Sequence, residues 1–235
     1  MKPIAIPTNT SQWKTAPGSV RAKERFLILG RRWSRATVRL QEMLSPFGEA
    51  EVIVDEAGGG GVWHDDCHLD GFEGLMGLSS PFPRFTAWSR AMFHLSQTIR
   101  SGENVWFVED DVAGNISYFA DLIEFTVTCG AHFSSTEIRS RSEDPGWYYW
   151  DLVSHWFDAP WRSFSPLCRV NSLLILRALE FRKTHGRFAF HEGMFPSLAA
   201  AHGYRTLDWR LEPRSRLHFG EYRFRPMVES LHRGL

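Results

Sequence analysis

Cysteine is scarce: Cys67, Cys129 and Cys168 are odd in number, far apart and without a C-x-x-C pair. That argues against a disulfide framework and suits reduced thiols in a cytosolic protein. An excess of charge of one sign is missing too. Lys plus Arg total 27 and Asp plus Glu total 27, so no net field concentrates a polyanion, and nucleic acid is not an expected partner. The longest aliphatic run, Leu173-Leu174-Ile175-Leu176, falls far short of the roughly 20 residues of a transmembrane segment. Peripheral membrane contact stays open. Met1 to Pro7 carries one basic residue and no apolar stretch of signal length, so no export signal and a cytoplasmic location are expected. No G-x-x-x-x-G-K-[ST] appears, which disfavours a P-loop nucleotidase, and there is no internal repeat.

What the chain does have is apolar and aromatic mass. With 43% hydrophobic residues, 10 Trp and 18 Phe in 235 residues, it can bury the core of a single domain without staples. Pro3, Pro7, Pro17 and Gly18 mark residues 1–24 as an extended lead-in; the domain is expected over 25–220, and 221–235 is a C-terminal tail. Arg25 to Gly30 predicts a strand, Ser34 caps a helix carrying Thr37, Leu40, Met43 and Leu44, and Glu51 to Asp55 predicts a second strand. Gly58 to Arg84 predicts a long loop. Trp88, Ala91, Met92, Leu95 and Ile99 fall at helical spacing, Val105 to Val108 predicts a buried strand, and Asn115 caps a helix through Phe119, Leu122 and Ile123. Further on, a β-like piece over 131–138, a helix over 171–183, a strand over 188–192, a helix over 194–202 and a strand over 204–209 are expected. The β-α-β order favours a parallel sheet in an α/β fold.

The strand at Val105 runs straight into Glu109-Asp110-Asp111. Three adjacent carboxylates at the end of a buried strand repel one another unless a cation or a solvated turn neutralises them. Extended backbone alternates its side chains, so Glu109 and Asp111 point one way and Asp110 the other. A hard cation such as Mn²⁺ or Mg²⁺ takes oxygen ligands and keeps positions open for phosphate oxygens. The plain alternative is an acidic turn before the next helix.

Ala87-Trp88-Ser89-Arg90-Ala91 on a helix, followed by Val105 to Asp111, resembles the core of GT-A fold glycosyltransferases, in which a nucleotide-contacting helix precedes a strand ending in a D-x-D-type motif. Cys168-Arg169-Val170-Asn171, opening a helix, and Phe190-His191-Glu192-Gly193-Met194-Phe195-Pro196 are similar to that fold's acceptor-side helix and acidic x-E-D region. Two positions depart from the pattern: Glu109 replaces the first Asp, and Gly193 stands where x-E-D has Asp. The resemblance implies a GT-A-like (Rossmann-like) α/β fold with a mixed, mostly parallel sheet flanked by helices in a single domain, and a metal-dependent glycosyltransferase using Mn²⁺ or Mg²⁺, moving a sugar from a nucleotide-sugar donor (UDP- or GDP-sugar) to a carbohydrate or other hydroxyl acceptor with inversion. It implies Glu109, Asp111 and a late His218 as metal ligands, Glu192 as general base, and Asp55, Trp88, Arg90 and Asp110 on the nucleotide. A catalytically silent nucleotide- or sugar-binding protein and a metal-dependent phosphohydrolase are the alternatives.

Other features have plainer readings. His64-Asp65-Asp66-Cys67-His68 lacks the paired spacing of a zinc site, and Gly58 to Gly61 lacks a phosphate-loop lysine. The aromatics from Trp147 to Trp161 suit buried packing first, or stacking on a sugar acceptor or on bases, and Arg205, Arg210, Arg214 and Arg216 form a basic stretch.

Overall fold

Seven consecutive buried residues, Glu24–Gly30, form β1, around which the sheet is built. The computed structural model describes residues 24–76, 84–112, 114 and 116–211. Ser34 and Thr37 then form a reciprocal capping box that starts α1 (Arg35–Leu44), whose Thr37, Leu40 and Leu44 face inward. β2 (Glu49–Val54) pairs parallel to β1 on one side. After a long loop, α2 (Ala87–Thr98) leads to β3 (Asn104–Glu109), which pairs parallel to β1 on its other side.

The second half adds α3 (Ile116–Cys129), β4 (Phe133–Ser140), β5 (Trp161–Asn171), α4 (Ser172–His185), α5 (His191–Ala201) and β6 (Thr206–Asp208). The strand order is β2-β1-β3-β5-β4-β6, and β5 alone among these runs against the rest. The result is one α/β domain, as the strand and helix pattern predicts, with a mixed, mostly parallel sheet flanked by helices. Alternation along β1 and β3 divides the core. Leu27, Leu29, Val105 and Phe107 meet residues of α2, α4 and α5, whereas Phe26, Ile28, Trp106 and Val108 meet residues of α1 and α3.

Several expectations shift. Glu24, placed in the lead-in, is the first residue of β1, and Asn115 lies outside the described residues, as do His218, Arg214 and Arg216. Cys168 to Asn171 do not open a helix; they end β5, and only Asn171 caps α4, accepting the Leu173 N–H at 2.9 Å. Residues 188–190 are buried but form no strand. Their backbone bonds go to the long loop, Phe188 N–H to the Glu73 carbonyl at 3.1 Å and His191 N–H to that of Leu75 at 2.9 Å. Among the described residues no helix is long and apolar enough to cross a membrane.

Candidate functional site

The chain leaves β1 toward β2 on one side and returns to β3 on the other, so the connections diverge outside the carboxyl ends of β1 and β3, the place of the switch-point crevice in open α/β sheets. Open α/β sheets bind ligands at such a switch point. Gly30 closes β1 here. A Cβ on it would lie 2.8 Å from Thr37 Cγ2 and 3.1 Å from Asp110 Oδ2, so the glycine lets α1 and the acidic turn approach together. The Asp110 N–H donates to the Leu29 carbonyl at 2.9 Å, and the Val112 N–H closes the turn on Glu109 at 3.0 Å.

Alternation sends Glu109 toward α2 and Asp110 toward α1. The Trp88 indole N–H donates to Glu109 Oε1 at 2.9 Å. Burial pushes the Glu109 carboxyl up to about 8, against that hydrogen bond and with the charges of Asp111, Glu192 and Asp110 adding to the rise. Asp110 is also raised, by burial first and by Asp111 next. The acids therefore crowd one another, as their spacing predicts. Trp88 departs from its expected role: it is buried, and its ring stacks on Phe107 (4.7 Å) and His191 (4.0 Å). It holds Glu109 and offers no open face to a nucleotide.

Asp55 follows β2, its N–H donating to the carbonyls of Gly30 (3.2 Å) and Arg31 (3.1 Å). Arg90 reaches it from α2 with a side chain only 5% exposed. Arg90 Nε donates to the His64 carbonyl at 3.2 Å, and Nη2 pairs with Asp66. Its third nitrogen is different. Arg90 Nη1 and Asp55 Oδ1 stand 3.8 Å apart, and both are buried without a hydrogen-bond partner among the described residues. Burial lifts Asp55 to about 6, with Arg90 opposing and Asp110 and Glu56 assisting.

Glu192 comes from the first turn of α5, not from a strand end. Its Oε1 accepts the Ser165 N–H at 3.2 Å, and its carbonyl accepts the Ser163 hydroxyl at 3.1 Å. Burial raises its carboxyl to about 7, against the Ser165 hydrogen bond and the Arg162 charge. Glu192 and Glu109 share one electrostatic space, since the charges of both also help push up the buried thiol of Cys168. The missing acid at Gly193 has a steric cause. A Cβ there would lie 2.3 Å from Val153 Cγ2.

The crevice thus joins Asp55, Arg90, Glu109, Asp110, Asp111 and Glu192, whereas Trp88 only supports it and His218 lies outside the described residues. Sequence reasoning missed three parts. His191 is buried, its Nδ1 2.6 Å from the Leu75 carbonyl, so Nδ1 carries the proton; burial lowers its pKa to about 4. A neutral His191 stacked on Trp88 steadies the donor to Glu109. Ser163 and Ser165 lie on the unexpected β5, and Asp66 lies on the long loop. Of these, only His191 had a visible signal, its place beside Glu192.

Among the described residues no group of three or more His, Cys, Asp or Glu side chains is arranged to hold a metal ion, the His64 to His68 segment included. Glu109 and Asp111 supply two oxygen donors. That set suits a hard cation that takes its remaining ligands from phosphate and water, as Mg²⁺ commonly does, and not a closed protein cage. No protein-family model matches the chain, and a search of the curated proteins finds no match either.

Proposed function

We propose that the chain is a glycosyltransferase that holds a UDP- or GDP-sugar across the carboxyl ends of β1, β2 and β3 with a divalent cation, Mn²⁺ or Mg²⁺. The observation that carries the reading is the pair Asp55 Oδ1 and Arg90 Nη1, an acceptor beside a donor, buried and short of hydrogen-bond partners at the switch point. A nucleobase edge presents the complementary pair, a donor beside an acceptor, and satisfies both. The choice of uracil or guanine follows the resemblance to GT-A enzymes. Beside this pair, the acids Glu109 and Asp111 repel a diphosphate unless a cation lies between.

A cation bound there supplies charge neutralisation for the departing diphosphate. Trp88 orients Glu109 toward it. Glu192 accepts the proton of an acceptor hydroxyl as that oxygen bonds to the anomeric carbon and the bond from that carbon to the diphosphate breaks. A single displacement of this kind inverts the anomeric centre. A carboxyl titrating near 7 suits that role, because a base poised near the working pH is both available and strong enough.

Calorimetry with UDP, GDP, CDP and ADP, each in Mn²⁺ and in chelator, tests the reading. UDP or GDP is expected to bind most tightly, and only with metal. Asp111→Asn should remove the metal dependence, and Asp55→Asn should weaken nucleotide binding while keeping it. Glu192→Gln should slow transfer by roughly 10²–10⁴-fold with nucleotide binding unchanged. Equal affinity in chelator and in metal overturns the proposal.

A further inference from the structure

The loop between β4 and β5 carries four consecutive aromatics, Trp147, Tyr148, Tyr149 and Trp150. Trp150 anchors it, buried, with its indole N–H donating to the Asp144 carbonyl at 2.7 Å. The other three do not follow it inward. Tyr148 is 87% exposed, and Trp147 and Tyr149 are half-buried. Trp147 stacks on Phe190 at 5.9 Å, Tyr149 tilts against Phe190 at 5.1 Å, and Tyr148 stands edge-on to Tyr149 at 5.1 Å. Phe190 is the residue before α5, two positions from Glu192. The same loop presses Val153 onto the turn at Gly193. The aromatic group therefore lies directly against the turn that carries Glu192.

This shelf is held in place from below. Arg162 at the start of β5 pairs with Asp144 at 2.5 Å and with Glu137 at 2.6 Å, and Arg210 pairs with Glu137 at 2.6 Å. Glu137 has φ +54°, the one positive value at a non-glycine among the described residues, and it lies where the β4 register shifts. The Asp208 carboxylate accepts its N–H at 3.2 Å and that of Ile138 at 3.0 Å. A strained residue persists when its surroundings over-determine it, and such residues gather at ligand sites. Arg162 itself ends with one unused donor, since its Nε is buried without a hydrogen-bond partner among the described residues.

We infer that Trp147, Tyr148 and Tyr149, backed by the buried Phe190, form the acceptor site, and that the acceptor is a carbohydrate with the C–H face of one pyranose ring on the exposed parts of these aromatics. The inference rests on Glu192 being the base of the proposed transfer. A pyranose is apolar on its C–H face and polar at its edge, and the shelf matches it with flat rings bordered by hydrogen-bonding groups. The border mixes signs, with Arg141, Arg162, Glu137, Asp144 and Asp151, so it draws in neither an anionic bilayer nor a nucleic acid. Trp147 and Tyr149, held against Phe190, lose little entropy when a ligand docks.

A glycan array probed with the labelled full chain, in Mn²⁺ with UDP, tests this. Wild type should retain a set of glycans, Tyr148→Ala should lose roughly tenfold or more of that affinity, and Tyr148→Phe should stay within roughly twofold. Tyr148 is exposed, so its replacement does not threaten the fold. Retention of no glycan, or equal retention by Tyr148→Ala, overturns the shelf. So does Tyr148-dependent binding to phosphatidylglycerol vesicles in place of glycans. If calorimetry shows no metal-dependent nucleotide binding while Tyr148-dependent glycan binding persists, the donor reading falls and the shelf stands; the reverse result removes the shelf alone.

Discussion

The strand pair β1 and β3 encloses a glutamate at each end, and the two ends treat its charge in opposite ways. At the amino end each oxygen of Glu24 accepts two hydrogen bonds: Oε1 from Asn104 Nδ2 (3.0 Å) and Arg169 Nη2 (2.8 Å), Oε2 from Trp106 Nε1 (2.7 Å) and Arg169 Nε (2.9 Å). Arg169 then gives Nη1 to the Ala131 carbonyl at 3.0 Å, and Asn171 supports Asn104 at 3.0 Å. At the carboxyl end Glu109 has the Trp88 indole and a surround of other acids. A buried charge with a complete set of partners is structure. A buried carboxyl short of partners, its charge opposed by burial and by neighbouring acids, is a candidate site for a ligand.

The largest expected effect tests that division directly. Arg169→Ala leaves Glu24 buried with half its donors, and removing one partner of a buried pair costs about 3–5 kcal/mol. Urea denaturation should show that loss, with nucleotide affinity of the remaining folded protein unchanged. Glu109→Gln should do the reverse, keeping or raising stability by removing a carboxyl that burial, and then its acidic neighbours, disfavour, while abolishing metal-dependent nucleotide binding. If Glu109→Gln destabilises the fold as much as Arg169→Ala does, the two ends are not different in kind.

Legibility in the sequence divides along similar lines. β1, α1, β2, α2 and β3 are visible because each is a local pattern: an apolar run ending at Gly30, the Ser34 cap, the spacing from Trp88 to Leu95. The acids of the crevice are visible because they end such a run. β5 is not, because Ser163, Ser165, Pro166 and Arg169 interrupt it. The fold accommodates them over a distance. Thr136 pairs with Phe164 and Ser134 with Arg169, so Pro166 falls in the irregular stretch between, and the charge of Arg169 meets Glu24 145 residues away. Phe188 to Phe190 fails in the opposite sense, an apolar run that a buried irregular segment mimics. The pairing of Asp55 with Arg90 and the packing of Val153 on Gly193 exist only once the chain is folded.

A second effect is smaller and depends on pH. The folded protein raises Glu192 from 4.5 to about 7, so it binds a proton that the unfolded chain has released. Stability from this group is complete below pH 4.5 and is lost as pH rises toward 7, by on the order of 3 kcal/mol. Glu192→Gln cannot ionise. Its melting temperature should match wild type near pH 4.5 and exceed it increasingly up to pH 7, and coincident curves across that range would show that the raised carboxyl is not at Glu192.

The smallest effect should have the opposite sign, because it belongs to a paired acid. On β2, Glu51 accepts Arg25 Nε at 2.7 Å and faces His94 Nε2 at 3.3 Å, while Arg25 also donates to Thr98 at 3.0 Å. The His94 hydrogen bond, offset in part by burial and reinforced by Arg25, lowers Glu51 from 4.5 to about 2. Its stability is therefore present above pH 4.5 and lost as pH falls toward 2. The carboxylate remains partly exposed, so solvent screening limits the contribution to about 1 kcal/mol or less. Glu51→Gln should be less stable than wild type at neutral pH and indistinguishable from it near pH 2, whereas Glu192→Gln diverges from wild type only above pH 4.5. The two difference curves change on opposite sides of pH 4.5 and carry opposite signs at neutral pH, because the Glu51 carboxylate has its partners in the protein and the Glu192 carboxyl is held up by burial. If both curves changed over the same pH range, or with the same sign, pairing within the fold would not separate the acids that support the sheet from those that line the crevice.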